Sequence, residues 1–344
     1  MTGFVWNYAR NLLDVGLGRE PARPLLFSYY VTHRCNLNCR YCCDGDGKRF
    51  KEDPIPELGT DEAKRLITTL REAGDTLDIT GGEPMLRDDL EEILRHARSV
   101  GFRTILNTKG IGLEGRPELL ELCDVLVLSI DTLDPSELAA LIGRSREKAE
   151  RALSALRFAA GERRRTGMRL VVSAVATPEN LDAVRRVLRF CADRGLGFHV
   201  SPGIVGTTPN PHLREDPRYR DLIDEVIRRK RRGYGVLGVL AYHRGIRDFG
   251  RYRCHPLLMP VIRPDGRLYY PCLESKCAEI GVLETGSYAK ALSEARRRRG
   301  EIPKCRDCCH IFCHMALSLL QRRPQAALTE MRHWRVPRAR SHRT

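Results

Sequence analysis

Three cysteines at positions 35, 39 and 42 constrain this chain more than any other feature of its sequence. Their Cys-x3-Cys-x2-Cys spacing places three thiols in one loop, directly after the apolar residues 25–31. Three thiolates can ligate three irons of a [4Fe–4S] cube, and the fourth iron can then bind and activate a small molecule. Structural cysteines or a zinc site are the alternatives, although zinc usually takes four ligands in paired form. We therefore predict an iron–sulfur site at Cys35, Cys39 and Cys42, with Cys43 as a spare thiol.

Short apolar strands alternate with amphipathic helices between residues 25 and 203. This alternation predicts an α/β fold, with a parallel sheet inside and helices outside. It does not choose between an open sheet and a barrel, but in both the ligands bind at the carboxyl ends of the strands. The predicted strands cover residues 25–31, 76–80, 103–107, 125–130, 169–175 and 197–200.

The second predicted strand runs into Thr80-Gly81-Gly82-Glu83-Pro84. The cysteine loop after the first strand and Gly-Gly-Glu-Pro after the second resemble the radical S-adenosylmethionine (SAM) superfamily. The resemblance implies a partial (β/α)6 TIM-like barrel whose [4Fe–4S] cluster binds SAM at its open iron. It also implies the reaction, in which SAM is cleaved reductively to a 5′-deoxyadenosyl radical that abstracts a hydrogen from a substrate.

The same resemblance implies which residues contact SAM. Tyr41, before the third cysteine, flanks the adenine. Gly81 and Gly82 let the backbone approach a ligand closely, because they carry no side chain. Glu83 faces the methionine ammonium, which is a charge-assisted contact, and Pro84 fixes the turn.

Polar side chains at the ends of the third and fourth strands complete the predicted SAM site. By resemblance, Asn107, Ser129 and Asp131 reach the ribose and the carboxylate of SAM. The alternative for Asp131, and for the adjacent Thr132, is simple capping of the next helix.

A second group of cysteines follows residue 253. Cys254 and Cys272 flank a predicted hairpin around Pro264-Asp265-Gly266, and Cys305-x2-Cys308 follows. This arrangement resembles the auxiliary-cluster extension called a twitch domain, the shortened relative of the SPASM domain. Four thiolates would bind one auxiliary [4Fe–4S] cluster, with zinc as the alternative metal. Cys277, Cys309 and Cys313 bring the count to seven, as in a full SPASM domain, but their spacing differs, so two clusters remain an alternative.

These features divide the chain into five predicted parts. A cysteine-rich extension follows the barrel and a connecting region, and a basic tail follows the extension. The predicted parts are an N-terminal segment 1–24, the radical SAM core 25–203, a connecting region 204–253, a twitch/SPASM-like domain 254–322 and the tail 323–344.

The predicted function is an oxidoreductase-type radical SAM enzyme, in which the substrate radical passes an electron to the auxiliary cluster. A maturase or peptide-modifying protein is an alternative, and so is an iron–sulfur scaffold or redox sensor without catalysis. The expected partners are a small-molecule or lipid substrate, which the basic surface favours as an anion, and a flavodoxin- or ferredoxin-type electron donor.

The net charge of +15 arises largely from arginine clusters. No recognised nucleic-acid module accompanies them, so we expect no nucleic-acid partner. The aromatic and apolar residues 4–14, together with the basic tail, could contact an anionic membrane peripherally, although such a segment more often packs on the barrel. The sequence shows no signal peptide, and a cytoplasmic location is expected.

Overall fold

The computed structural model describes residues 3–42, 48–300 and 309–333 of the 344-residue chain. Six parallel strands pair in chain order. Because a helical connection returns the chain between parallel strands, their carboxyl ends all meet at one rim. These strands are β1 Phe27–Thr32, β2 Thr76–Gly81, β3 Arg103–Thr108, β4 Val125–Ser129, β5 Arg169–Ala176 and β6 Gly197–Pro202.

The sheet does not close into a barrel, and it continues past β1 into the cysteine-rich part of the chain. Its strand order is β11-β10-β9-β1-β2-β3-β4-β5-β6. Strand β9 runs parallel to β1, with Ser28 opposite Val261, and β10 returns antiparallel to β9. The predicted α/β fold with a partial, open barrel is confirmed, and the predicted hairpin is part of the same sheet. The remaining strands are β7 Ile204–Val205 and β8 Thr208–Pro209, which pair only with each other, then β9 Val261–Ile262, β10 Arg267–Tyr270 and β11 Ala278–Gly281.

Helices cover the outer face of the sheet. In α2, for example, Ala63, Leu66, Ile67 and Leu70 are fully buried, and their i, i+3, i+4, i+7 spacing forms one apolar stripe. Within the described residues no helix combines the length and apolar content needed to cross a bilayer. The helices are α1 Gly3–Gly16, α2 Thr60–Arg71, α3 Leu90–Ser99, α4 Leu119–Leu122, α5 Pro135–Ile142, α6 Arg146–Thr166, α7 Leu181–Arg194, α8 Pro211–Glu215, α9 Pro217–Arg231, α10 Leu240–Asp248, α11 Val282–Thr285, α12 Tyr288–Arg299, α13 Phe312–Gln321 and α14 Pro324–His333.

The N-terminus of α13 lies against the concave face of the open sheet. Phe312 packs on His199 of β6 with ring centroids 3.9 Å apart, and it joins an apolar cluster with Ile105, Val125 and Val171. An open barrel exposes its inner apolar side chains unless another element covers them. The C-terminal part of the chain therefore completes the core of the barrel.

The tail predicted from residue 323 begins with a helix rather than a loose segment. Helix α14 is fixed by Glu330, whose carboxylate lies 2.8 Å from the ammonium of Lys230 on α9. Both side chains are buried, and Lys230 also donates to the carbonyl of Val236 at 2.9 Å. Sequence composition missed this helix because the ion pair joins residues one hundred positions apart. Residues 334–344 lie outside the described part of the chain.

Candidate active site

The cysteine loop follows β1 directly and is held in place through its backbone. The amides of Asn38 and Arg40 donate to the last carbonyls of α5, those of Ile142 and Leu141, at 2.8 and 3.2 Å. The next residue, Gly143, has φ +58°, and a Cβ there would lie 2.8 Å from the Cβ of Asn38. The C-terminal end of α5 therefore contacts this loop closely and hydrogen-bonds to its backbone.

The three predicted cluster ligands sit together in this loop. Cys35, Cys39 and Cys42 are partly buried and form no disulfide, and the amide of Cys42 donates to the carbonyl of Cys39 at 3.2 Å. Within the described ranges no three cysteine, histidine or carboxylate side chains converge closely enough to bind a metal. As donors, three cysteine thiols in one loop fit a [4Fe–4S] cluster with one open iron. Cys43 lies outside the described residues.

Glycine is required at positions 81 and 82 because the end of β2 lies against the backbone of residues 32–34. A Cβ on Gly81 would lie 2.2 Å from the carbonyl oxygen of Thr32, and one on Gly82 would lie 2.2 Å from that of Arg34. The amide of Gly82 donates to Thr32 and that of Glu83 to Arg34, both at 2.8 Å. These glycines therefore join β2 to the start of the cysteine loop, and their contact with SAM stays a prediction.

Glu83 is buried and is the centre of a hydrogen-bond network. It accepts from the hydroxyl of Thr108, from the amide of Lys109 at 3.0 Å and from the amide of Met85 at 3.1 Å. Burial raises the pKa of Glu83, although these three donors oppose that rise. Pro84 follows in the first turn of a short 3-10 helix, for which Glu83 is the N-cap.

Asp131 connects the cysteine loop to the rim of the sheet. Its Oδ2 accepts from the hydroxyl of Tyr41 and lies 3.4 Å from the ammonium of Lys109, while its Oδ1 accepts from the amide of Val175 at 2.9 Å. The capping alternative is wrong for Asp131, because the N-cap of α5 is Asp134. Asp131 is instead an internal acceptor that holds three strands and the loop together.

Lys109 is a site residue that the sequence interpretation missed. It is buried at the end of β3, and its amide reaches Glu83 while its ammonium reaches Asp131. Burial lowers the pKa of Lys109, but the negative charges of Asp131, Cys39 and Glu83 outweigh burial and raise it overall. The available signal was a lysine two residues after Asn107, at a strand end that faces the cysteine loop.

Asn107 and Ser129 lie within hydrogen-bond distance of each other, and their contact with SAM stays a prediction. The hydroxyl of Ser129 donates to Oδ1 of Asn107 at 3.3 Å. Ser129 lies beside Ser173 of β5 in the sheet register, and the hydroxyl of Ser173 lies 2.8 Å from Nδ1 of His199. Burial lowers the pKa of His199 to about 3, so this imidazole is neutral. A row of uncharged polar groups therefore crosses the concave face.

Asp78 adds a carboxyl group to the same concave face, and the sequence interpretation missed it too. It is 8% exposed and lies between Ser28 and Ile105 in the register of the sheet. Its Oδ2 accepts from Ser28 at 3.4 Å, and its buried Oδ1 has no partner among the described residues. Burial raises the pKa of Asp78 to about 7, with the Ser28 hydroxyl opposing. An unsatisfied buried carboxyl costs free energy, which is typical of a functional site.

Of the predicted auxiliary ligands, the structure describes Cys254 and Cys272. Burial, with a smaller contribution from the charge of Cys309, raises the pKa of the Cys272 thiol to about 12. Cys309 was not among the four predicted ligands, yet it lies near Cys272 and 3.8 Å from the hydroxyl of Tyr252. The other two predicted ligands, Cys305 and Cys308, lie outside the described residues.

Residues 29–191 match the model of the radical SAM superfamily. Domains of this superfamily bind a [4Fe–4S] cluster and SAM, so the match supports the resemblance carried by the two motifs. The match ends before β6 and does not test the cysteine-rich region.

Two curated relatives extend the comparison. The chain is 30% identical over 180 residues to the AdoMet-dependent heme synthase of Oleidesulfovibrio alaskensis, covering 51% of this chain and 44% of the relative. It is 33% identical over 180 residues to the GTP 3′,8-cyclase of Mycobacterium marinum, covering 49% of this chain and 48% of the relative. The chain spans less than half the length of either protein, so the comparison does not transfer their activities.

A solved structure supports the fold over a longer stretch. The chain is similar to Streptococcus suis SuiB bound to S-adenosylmethionine, with a TM-score of 0.59 and 18% identity over 80% of this chain and 67% of SuiB. SuiB bound to its precursor peptide SuiA gives the same TM-score at 17% identity, over 80% of this chain and 66% of that one. At this identity the likeness concerns the fold alone.

Proposed function

We propose that this chain is a radical SAM enzyme that cleaves SAM reductively and oxidises a substrate held against the concave face of the sheet. One observation carries the proposal. A continuous buried network runs from Tyr41 in the cysteine loop through Asp131 and Lys109 to Glu83. It ties the proposed cluster loop to the Gly-Gly-Glu-Pro turn, so the two motifs form one site at the strand ends.

In this proposal Cys35, Cys39 and Cys42 hold the cluster. When bound, the cluster and SAM supply a radical that abstracts a hydrogen from the substrate. The three thiols belong to one loop, and the backbone of this loop is hydrogen-bonded to the end of α5.

The residues around the loop would bind and orient SAM. Oε2 of Glu83 accepts a single described hydrogen bond, from Lys109, and retains acceptor capacity for the methionine ammonium. Asn107 and Ser129 lie on the concave face within reach of each other and would bind the ribose hydroxyls. Tyr41, with its hydroxyl fixed by Asp131, would present its ring edge or face to the adenine.

The concave face favours a substrate with hydrogen-bond donors. Asp78 is buried there, and among the described residues its Oδ1 has no hydrogen-bond partner and no cation offsets its burial. A carboxyl group in such a place favours an amine or hydroxyl and disfavours the anionic group expected from the basic surface. We therefore propose a small polar molecule as the substrate, with a peptide side chain as the alternative.

We also propose that the C-terminal cysteines bind an auxiliary [4Fe–4S] cluster that accepts the electron from the substrate radical. The support is the pair Cys272 and Cys309, which lie together beside the hairpin that extends the sheet. The basic surface would attract an acidic flavodoxin or ferredoxin as the external electron donor.

The proposal is tested by anaerobic reconstitution and by SAM cleavage. The wild-type protein should bind about eight irons, four for each cluster. Replacing Cys35, Cys39 and Cys42 with Ala should remove about half of them, and Cys254→Ala with Cys272→Ala should remove the other half. Dithionite and SAM should give 5′-deoxyadenosine only where the first cluster remains. Zinc at the C-terminal site, or unchanged iron in the first variant, would contradict the proposal.

A further inference from the structure

The most buried side chains of helix α1 are polar. Its two buried residues are Asn7 and Asn11. Asn7 donates to the carbonyls of Pro24 and Ala73, both at 2.7 Å, and Asn11 donates to the carbonyl of Arg23 at 2.8 Å. An ordinary surface helix buries mainly apolar residues, whereas the two buried residues of α1 are polar and its Tyr8 is only half-buried against the core.

Part of the apolar surface of α1 faces solvent. Trp6, Leu13 and Leu17 are 49%, 59% and 67% exposed, and their offsets of seven and eleven residues place them on one stripe of the helix. Leu17 continues the helical turn, because its amide donates to the carbonyl of Leu13 at 2.9 Å. Arg10 lies on the same stripe, with its guanidinium 5.5 Å from the ring centroid of Trp6. We call Trp6, Arg10, Leu13 and Leu17 the apolar stripe.

A basic cavity adjoins the end of this stripe. Its volume is about 100 Å³, enough for a phosphate group, and its lining includes Arg19, Arg253, Arg322 and His255. His255 is 2% exposed, its Nδ1 lies 2.6 Å from the carboxylate of Glu20, and its Nε2 has no hydrogen-bond partner among the described residues. A residue that lines the cavity therefore has a buried ring nitrogen without a hydrogen-bond partner among the described residues.

The charge of the cavity is positive. Glu20 offsets Arg253, since the two side chains are 3.3 Å apart. Arg19 and Arg322 make no ion pair within residues 3–42, 48–300 and 309–333. Two uncompensated arginines and an available imidazole nitrogen suit an anionic phosphate better than a neutral ligand.

We propose that the apolar stripe and the basic cavity together form a docking surface for an anionic lipid bilayer. The stripe enters the headgroup region with Trp6 at the interface, and the cavity binds the phosphate of one lipid. Arginine beside an exposed aromatic and leucine stripe is typical of interfacial helices. The net charge of +15 adds a long-range attraction to an anionic surface. This docking would hold the enzyme at the surface of an anionic membrane.

The test uses the full chain with Trp334→Phe, which leaves Trp6 as the single indole because the chain has two tryptophans. Vesicles of equal parts phosphatidylcholine and phosphatidylglycerol should float the protein and shift Trp6 fluorescence to the blue. Phosphatidylcholine alone should bind at least about tenfold more weakly, since the proposal needs anionic lipid. Brominated lipid should quench Trp6.

Two double variants separate the parts of the surface. Leu13→Ser with Leu17→Ser should abolish the fluorescence shift, and Arg19→Gln with Arg322→Gln should weaken binding about twentyfold or more, near fivefold for each arginine. Two control double variants change exposed apolar or arginine side chains elsewhere on the surface, and both should bind vesicles nearly as the parent does. They are Val205→Ser with Tyr234→Ser, and Arg231→Gln with Arg232→Gln.

Three results would overturn the proposal. Equal vesicle binding by all variants would mean that arginines outside the cavity bind the membrane. Binding of inorganic phosphate in the cavity without vesicle binding would make the cavity a site for a soluble ligand. A dimer in light scattering that Leu13→Ser and Leu17→Ser convert to a monomer, again without vesicle binding, would assign the stripe to a second copy of the chain.

Discussion

The hydroxyl of Tyr41 donates to the carboxylate of Asp131, and this bond connects the cysteine loop to the end of β4. Lys109 binds the same carboxylate oxygen from β3, and Val175 of β5 binds the other oxygen. One buried carboxylate therefore fixes the position of the loop relative to three strands. A radical site needs this kind of rigid placement, because the reactive group must reach one substrate atom and no other.

Tyr41→Phe should lower the free energy of unfolding by about 1–3 kcal/mol, because Asp131 loses a donor while remaining buried. Urea unfolding of the anaerobic protein measures this loss. Tyr234→Phe changes a partly exposed tyrosine and should have almost no effect. Equal stability of the two variants would show that the Tyr41 bond does not hold the loop.

Glu83→Gln should weaken SAM binding while preserving most of the fold. The amide oxygen of glutamine can still accept from one or two of the described donors, but the variant lacks the charge that would pair with an ammonium. We expect a loss of about 1–3 kcal/mol, or roughly tenfold to a hundredfold in affinity. Equilibrium binding of SAM to reconstituted protein checks this, and unchanged affinity would remove Glu83 from the binding site.

Asp78 should make stability depend on pH. Its folded pKa of about 7 is above its ordinary value of 3.8, so the folded chain binds a proton that the unfolded chain releases. The stabilisation from this proton is full below pH 3.8 and is lost as the pH rises through 7. Tyr30 and Cys313 face Asp78, and burial keeps both neutral across this range by raising their pKa values.

Asp78→Asn should remove this dependence. The variant should gain about 2–3 kcal/mol of stability relative to wild type between pH 5 and pH 8, from the size of the pKa shift. Urea unfolding of both proteins at the two pH values gives the difference, in which titrations common to both cancel. If the difference in unfolding free energy between the two proteins did not change with pH, Asp78 would be in contact with water.

Glu330→Gln should destabilise the fold by about 3–5 kcal/mol, because it leaves the buried Lys230 without its counter-ion. The double variant Glu330→Leu with Lys230→Met should recover most of this loss. Glu150→Gln is the matched control, because Glu150 pairs with Arg146 on an exposed helix face and should matter by less than about 1 kcal/mol. If Glu330→Gln and Glu150→Gln lowered the free energy of unfolding by similar amounts, the pair of Glu330 and Lys230 would not hold α14.

The sequence was sufficient to predict the strands of the core, but not the part of the chain that packs against the concave face of the sheet. Strand β2 was predicted at 76–80 and is Thr76–Gly81, because alternating apolar stretches and glycine boundaries are local signals. The insertion of Phe312 against His199 depends on the chain meeting itself more than one hundred residues later. No local pattern encodes such a contact.

The same distinction applies to the site. Cys35 and Glu83 were predicted because motifs fix their spacing, and Asp131 because it follows the fourth strand; their roles toward SAM stay predictions. Lys109 and Asp78 were missed because a single lysine or aspartate on a strand is informative only once its neighbours in the sheet are known. Gly81 and Gly82 were predicted to make room for a ligand. In the structure, the backbone of Thr32 and Arg34 already requires glycine at these positions.

The measurement that tests the central claim most directly is 5′-deoxyadenosine formation by the anaerobically reconstituted protein with SAM and dithionite. We predict 5′-deoxyadenosine and methionine in equal amounts from wild type and from the control variant Cys123→Ala with Cys191→Ala, whose thiols are buried away from the loop. Replacing Cys35, Cys39 and Cys42 with Ala should abolish both products. Iron-loaded wild-type protein that binds SAM but forms no 5′-deoxyadenosine, or a triple variant that still forms it, would contradict the account.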